Sequence, residues 1–258
     1  MASASSVRFT LTYLIFAFTC FLAIVSLILV RLSIILSPHR LKPSELNRAG
    51  SAHLLIVLGS GGHTAEMVAM LERAVNEDET TRRFEWKRFK HRTWVVSSGD
   101  SISAQRARAF EDMASGNGTT ASGSQRQRAQ ILTVPRAREI HQPIYTAPIS
   151  SLRCLFATFG LLLGCSRSGR DFPDIILCNG PATATIIVFT AVLLRFFNVR
   201  NCHSRGKMRT VYVESWARVK KLSLSGNLLE GVADRFVVQW PQLAKGGRGS
   251  REFLGVLV

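Results

Sequence analysis

The residues best placed to do chemistry are those of "GSGGHT", Gly59, Ser60, Gly61, Gly62, His63 and Thr64, set between the apolar run "HLLIVLG" and the patterned stretch "AEMVAMLERAV". A strand that passes through glycines into a helix start presents free backbone N–H groups and the positive end of the helix dipole, which suits a phosphate or diphosphate. The glycines allow a tight turn and close backbone approach. His63 can contact a phosphate or accept a proton near neutrality, or it can simply cap the helix. The loop is not a Walker A sequence, because no Gly-Lys-Ser/Thr closes it. It is also an incomplete dinucleotide fingerprint. Thr64 stands where the third glycine belongs, and Asp100, the acidic residue after the next strand, lies well beyond the usual interval of about 20 residues. A strand–helix turn that needs glycine for geometry alone is the plain alternative.

Elsewhere the chemistry is sparse. Glu214 ends the run "TVYVES", where a carboxylate can bind sugar hydroxyls or accept N–H bonds from the next helix turn. The sequence holds no persuasive serine–histidine–aspartate order, second carboxylate or metal-ligand spacing, so neither a resident metal nor a cofactor is expected. Cys20, Cys154, Cys165, Cys178 and Cys202 are scattered without a C-x-x-C pair and read as reduced and structural.

The elements that must position these residues are legible as short apolar runs alternating with helical patterns. Six runs, starting at His53, Thr93, Gln130, Asp174, Thr210 and Arg235, are rich in valine and isoleucine and continuous rather than alternating. Strands buried on both faces look like this, and alternation with helices implies a Rossmann-like, doubly wound parallel sheet of the α/β class. Ligands bind such sheets at the carboxyl ends of the strands, so topology should gather Gly59 to Thr64, Gly99 and Asp100, Asn179 and Gly180 with the residues up to Ala182, and Glu214 to Trp216 along one edge. Met67, Met70, Leu71, Ala74 and Val75 give the first helix one apolar face, and "SISAQRARAFEDMA" predicts a second helix. The stretch 182–197 is too short to cross a membrane comfortably and reads as a buried sheet-packing helix. In 150–164, Leu152, Leu155, Phe156, Phe159, Leu162 and Leu163 share a face. That helix is either core or half-sunk in a membrane interface beside the basic "PRAR" at 135–138.

Part of the 47% hydrophobic content belongs to no core. Phe9 to Val30 is uncharged for 22 residues, enough at about 1.5 Å per residue to cross a hydrocarbon layer of roughly 30 Å. A cleaved signal peptide would have a shorter apolar region, of about 7–15 residues. Arg31, Arg40, Lys42 and Arg48 follow the span while Arg8 alone precedes it, which places the C-terminal part in the cytosol. The expected organisation is a lumenal tip at 1–8, a span with flank at 9–36, a linker at 37–50, a cytosolic Rossmann-like domain at 51–251 and an apolar tail at 252–258. A net charge of +16 suits anionic lipid headgroups. No nucleic-acid motif accompanies it, and nucleic acid is not an expected partner. The basic clusters at 82–92 and 245–251 read as ordinary solvated surface, and Gly116 to Ser124 as a flexible loop.

Several stretches together resemble the membrane-anchoring, non-catalytic subunit of the two-part UDP-N-acetylglucosamine transferase of asparagine-linked glycosylation. They are "VLGSGGHTAEM", "PRAREI", "PDIILCNGPATATI", "VYVESWARVKKLSLSGNLL", "RFVVQWPQL" and the terminal "EFLGVLV", in family order over most of the chain after the span. The resemblance implies the acceptor-side half of a GT-B glycosyltransferase. A soluble catalytic subunit would bind UDP-GlcNAc, and the complex would add the second GlcNAc to GlcNAc-diphospho-dolichol at the cytosolic face of the endoplasmic reticulum membrane, with the contiguous nuclear envelope as a further location. It places the glycine loop and His63 near the acceptor diphosphate and adds the preceding enzyme of the pathway as a further partner. One sheet of about six strands leaves no second Rossmann-like half for a donor nucleotide, which independently calls for a partner. Phe253, Leu254, Val256, Leu257 and Val258 lie on a segment without obvious core duties, and an apolar tail left in water is costly, so they are the expected docking residues. A membrane-tethered NAD(P)-dependent oxidoreductase is the competing reading, resting on the strand–glycine–helix start alone.

Overall fold

The computed structural model describes residues 4–37, 52–76, 86–114, 129–139, 142–167, 171–180, 182–245 and 251–258. Nearly all of the expected linker at 37–50, and the whole Gly/Ser loop at 116–124, lie outside the described residues. The chain divides into two units, Met1–Arg40 and Leu41–Val258. The described residues of the first form one helix, α1 (Ala4–Leu36), which starts inside the stretch expected to be the tip. Its segment Phe9–Leu36, 28 residues, is long and apolar enough to cross a membrane. Hydroxyls within it are bonded to backbone carbonyls one turn back, Thr19 to Phe16 O and Ser33 to Val30 O, so neither carries an unpaired donor into an apolar medium.

In the second unit the described strands form one all-parallel sheet in the order β3-β2-β1-β4-β5-β6-β7. They are β1 (His53–Val57), β2 (His91–Ser97), β3 (Gln130–Val134), β4 (Ile175–Asn179), β5 (Arg209–Val213), β6 (Arg235–Val238) and β7 (Arg251–Phe253). The accompanying helices are α2 (Gly62–Asn76), α3 (Ser101–Ala114), α4 (Ala147–Arg167), α5 (Ala182–Phe196), α6 (Leu224–Leu229) and α7 (Pro241–Ala244). The six expected strands are present. β2 starts at His91, two residues earlier than the apolar run suggests.

Alternate strand residues enter two cores. Leu54, Ile56, Leu58, Trp94 and Val96 meet Met67, Leu71 and Phe110 on the α2/α3 side. Leu55, Val57, Ile176, Cys178, Tyr212 and Phe236 meet Leu162, Ile187, Val188 and Leu194 on the α4/α5 side. Burial on both faces is what makes the strands read as unbroken apolar runs. Cys154, Cys165, Cys178 and Cys202 are free and buried, and Cys20 is free and exposed on α1.

Four sequence expectations need revision. The seventh strand was not anticipated: β7 takes the start of the apolar tail into the sheet edge beside β6, where Glu252 pairs with Arg235. Leu257 then folds back to pack partly on the α2/α3 core, and its N–H donates to Gln239 Oε1 at 3.1 Å. The tail therefore has core duties, although Phe253, Leu254, Val256 and Val258 remain exposed. Helix α4 keeps only part of its expected face inside. Leu162 is in the α4/α5 core with Phe159 and Leu163 packed partly against it, Cys154, Thr158 and Cys165 are also buried, and Leu152 and Phe156 face outward. Thr158 can be buried because its hydroxyl donates to Cys154 O at 2.8 Å. Of the outer basic clusters, 82–85 and 246–250 lie outside the described residues, and Arg88, Lys90 and Lys245 are exposed as expected, but one arginine in each is engaged. Arg92 is buried, bonded through Nε to both Glu111 oxygens at 3.0 and 2.9 Å and lying over the Trp86 ring. Arg251 donates to Glu230 Oε1 and Leu243 O, each at 2.8 Å.

Candidate functional site

The chain crosses from β3 back over the sheet to β4, so strand order reverses between β1 and β4, and loops leaving these two strands diverge around a crevice. A cleft of about 450 Å³ opens there. Its walls include Gly59, Ser60 and His63 after β1, Asn179 and Gly180 after β4, Ala182 and Thr183 at the start of α5, and Glu214 and Ser215 after β5. The loop after β1 is thus brought against segments more than a hundred residues further along the chain, as expected. Gly61, Gly62, Thr64, Gly99, Asp100 and Trp216 do not line it.

The glycine loop is held by side chains, not by crowding. Gly61 has φ +64, which favours glycine, and a Cβ at Gly61 or Gly62 would meet nothing within 4 Å. Thr64, buried in the first turn of α2, donates to Gly59 O and bonds Ser103 Oγ at 2.6 Å. Ser103 in turn donates its N–H and hydroxyl to Asp100, at 3.0 and 2.7 Å. Thr64 and Asp100 thus fasten the loop to the start of α3, and both carboxylate oxygens of Asp100 are engaged.

The cleft's organising residue was not singled out from sequence. Glu66 lies one turn along α2 from His63. Its Oε2 accepts from Asn179 Nδ2 at 2.9 Å, and its Oε1 accepts from Ser215 Oγ at 2.8 Å and Trp216 N at 3.1 Å. Oε2 is also 3.5 Å from His63 Nδ1, and His63 Nδ1 is 3.2 Å from Asn179 Oδ1. One carboxylate therefore ties together the residues that follow β1, β4 and β5. Burial alone would push its pKa up, but the bonds from His63, Asn179 and Ser215 prevail and hold it below the ordinary value. The i, i+3 spacing of His63 and Glu66 was the available signal. Gly180 completes the arrangement: at φ +92, a Cβ there would stand 2.6 Å from His63 Cγ, so the imidazole rests against bare backbone.

Glu214 does what the structural alternative foresaw. Almost wholly buried, it accepts from Ser215 N at 3.1 Å on Oε1, and from Ser223 N and Oγ at 3.2 and 3.1 Å on Oε2. Ser223 then caps α6 by accepting from Gly226 N at 2.9 Å. Burial pushes the Glu214 pKa up, and the Ser223 and Ser215 bonds offset this only in part. The carboxylate reaches the cleft wall, but its described bonds hold the loop between β5 and α6.

The positive charge of the cleft comes from Arg136, Arg138 and Arg218. None was singled out for the site from sequence, although each lies within a quoted motif. The loop carrying the first two is pinned on both sides. Ala137 N donates to Thr183 Oγ1 at 3.5 Å, and Ala137 O accepts from Ser150 and Ser151 at 2.8 and 3.2 Å. These three arginines, His63 of α2 and the first turn of α5 line one cleft, with Glu139 and Glu214 also in its wall. Arg136 donates through Nε to Ser98 O and Arg138 through Nη2 to Gln142 O, which leaves further donors on each guanidinium for a diphosphate. Among the described residues no group of histidine, cysteine and carboxylate side chains could hold a metal ion.

Residues 54–257 match the family described as "Oligosaccharide biosynthesis protein Alg14 like". Among curated proteins, the chain is 39% identical to the UDP-N-acetylglucosamine transferase subunit alg14 of Aspergillus fumigatus, over 66% of this chain and 93% of that one. It is 33% identical to the corresponding subunit of Mus musculus, over 85% and 88% of the two chains. The Schizosaccharomyces pombe subunit is 32% identical, over 89% and 95%. No solved structure matches.

Proposed function

The chain belongs to the Alg14-like family of oligosaccharide biosynthesis proteins, and on that premise we propose that it is the acceptor-side, non-catalytic subunit of a UDP-GlcNAc transferase. The observation that carries this reading is the switch-point cleft, lined by Arg136, Arg138 and Arg218 together with Gly59, Ser60, His63 and the first turn of α5. Such a site suits the diphosphate of a lipid-linked sugar, here GlcNAc-diphospho-dolichol, to which the complex adds a second GlcNAc. Gly59 and Ser60 offer the loop to the diphosphate. His63, held by Glu66 and Asn179, stands beside it, with Nε2 free of any bond to the described residues.

A soluble partner supplies the UDP-GlcNAc site and the catalytic base. It docks on the exposed tail residues Phe253, Leu254, Val256 and Val258, with Leu257 serving as the inner anchor that holds the tail to the domain. Helix α1 fixes the complex to the endoplasmic reticulum membrane, with the α/β domain cytosolic. The oxidoreductase alternative draws no support: Asp100 is bonded to Ser103 at the start of α3 and does not line the cleft.

Co-expression of the full chain with the soluble subunit, followed by assay of GlcNAc transfer to GlcNAc-diphospho-dolichol, tests the reading. Activity is expected only with both chains present. Transfer by this chain alone, or unchanged membrane recovery of the partner after replacing Phe253, Leu254 and Val256 with serine, would overturn it.

A further inference from the structure

Helix α4 uses only one side for the core. Its buried line, Cys154, Thr158, Leu162 and Cys165, satisfies the sheet, yet an apolar stripe is left outside. Ile149 is 74% exposed, Leu152 52% and Phe156 68%, and Tyr145, in the turn just before the helix, is 82% exposed. The intervals of four, three and four residues put these side chains in one row, about 16 Å long at the usual rise. Arg153, in the same stretch, is also exposed.

The row begins beside the cleft, because Ser150 and Ser151 donate to Ala137 O in the loop that sends Arg136 and Arg138 into it. An exposed apolar row of this length calls for an occupant. The same chain carries an apolar helix long enough to cross a membrane, joined to this domain by a short stretch of sequence, and its net charge is +16. Apolar side chains flanked by arginines are the pattern of a helix lying in a lipid interface, with its apolar side about 5–10 Å into the headgroup boundary.

We propose that Tyr145 and the outer face of α4 as far as Phe156 lie in the lipid surface and set the mouth of the cleft at headgroup depth. A lipid-linked diphosphate then reaches Arg136 and Arg138 without leaving the bilayer. This rests on the acceptor reading above for its purpose, but not for the contact itself.

The test uses the full chain in phosphatidylcholine vesicles, with and without phosphatidylinositol, containing a phospholipid with a photoactivatable diazirine on its acyl chain. Labelling is expected at 145–156 as well as in α1, stronger with phosphatidylinositol, and absent from the exposed Phe197 at the far end of α5. Ile149→Asp with Phe156→Asp should cut the 145–156 label roughly tenfold for each side chain withdrawn from lipid, leaving α1 labelled. With the soluble subunit added, the same pair should raise the KM for a long-chain membrane acceptor about tenfold and leave that for a water-soluble short-chain analogue unchanged.

Label confined to α1, or lost from 145–156 when the soluble subunit binds, would overturn the proposal, the second outcome assigning the row to that protein. Label at 145–156 without GlcNAc transfer under any condition would sink the transferase reading and leave the lipid contact standing.

Discussion

Gly226→Ala sets two physical effects of opposite sign against each other. Gly226 lies inside α6, where alanine is intrinsically favoured over glycine by about 1 kcal/mol. An added Cβ, however, would stand 1.9 Å from Glu214 Oε2, where ordinary contact begins at 3.4 Å, so the carboxylate must retreat by about 1.5 Å. Glu214 cannot do so cheaply, because that oxygen accepts from both the N–H and the hydroxyl of Ser223. Losing those bonds in a buried setting costs about 1–3 kcal/mol for each donor left unpaired. The clash therefore wins, and the variant should lose about 2–3 kcal/mol net.

For a domain of this size that lowers the midpoint of thermal unfolding by about 4–12 °C. Glu214→Asp, one methylene shorter, withdraws the carboxylate. In that background Gly226→Ala should cost at least 1 kcal/mol less, a coupling of the size expected for side chains in contact. Thermal unfolding of the full chain in detergent, measured for both single variants and the double, reads the cycle. A stabilised Gly226→Ala protein, or additive singles, would refute the claim that Glu214 fills the space a side chain would need.

Gly180→Ala should lose about 1–3 kcal/mol from its φ of +92 and displace His63 from the cleft wall; unfolding curves, with the acceptor KM of the assembled enzyme, check both parts. Arg136→Gln with Arg138→Gln should weaken acceptor binding by about tenfold or more and reduce its salt dependence, with little change in unfolding temperature. The half-buried Glu66 and the buried Glu214 predict opposite pH slopes. Glu66, held below its ordinary value, contributes stability that is present above the unfolded pKa of about 4.5 and lost as pH falls through the folded one. Glu214, raised by burial, contributes stability that is present below the unfolded pKa and lost as pH rises through its folded one. Unfolding followed across pH should therefore show a flatter acid limb in Glu66→Gln and a flatter fall above pH 4.5 in Glu214→Gln.

The six apolar runs, the glycine loop and the long apolar N-terminal helix were legible because each is local. Period, length and turn chemistry lie within a few consecutive residues, and burial of both sheet faces leaves its mark on the inner strands. From these the doubly wound order and the edge where ligands bind follow by topology, so Gly59, His63, Asn179, Gly180 and Glu214 could be named together. What only the tertiary structure decided depends on residues far apart in the chain. Glu66 organises the cleft because Asn179 and Ser215 approach it from other strands. Thr64 turns inward because Ser103 waits there, and Gly180 is needed because His63 rests on it. The tail becomes β7 because β6 offers an open edge, which three residues of sequence cannot announce. For α4, the shared apolar face was legible, but how it divides was not: Leu162 enters the core with Phe159 and Leu163 against it, while Leu152 and Phe156 stay outside with Ile149.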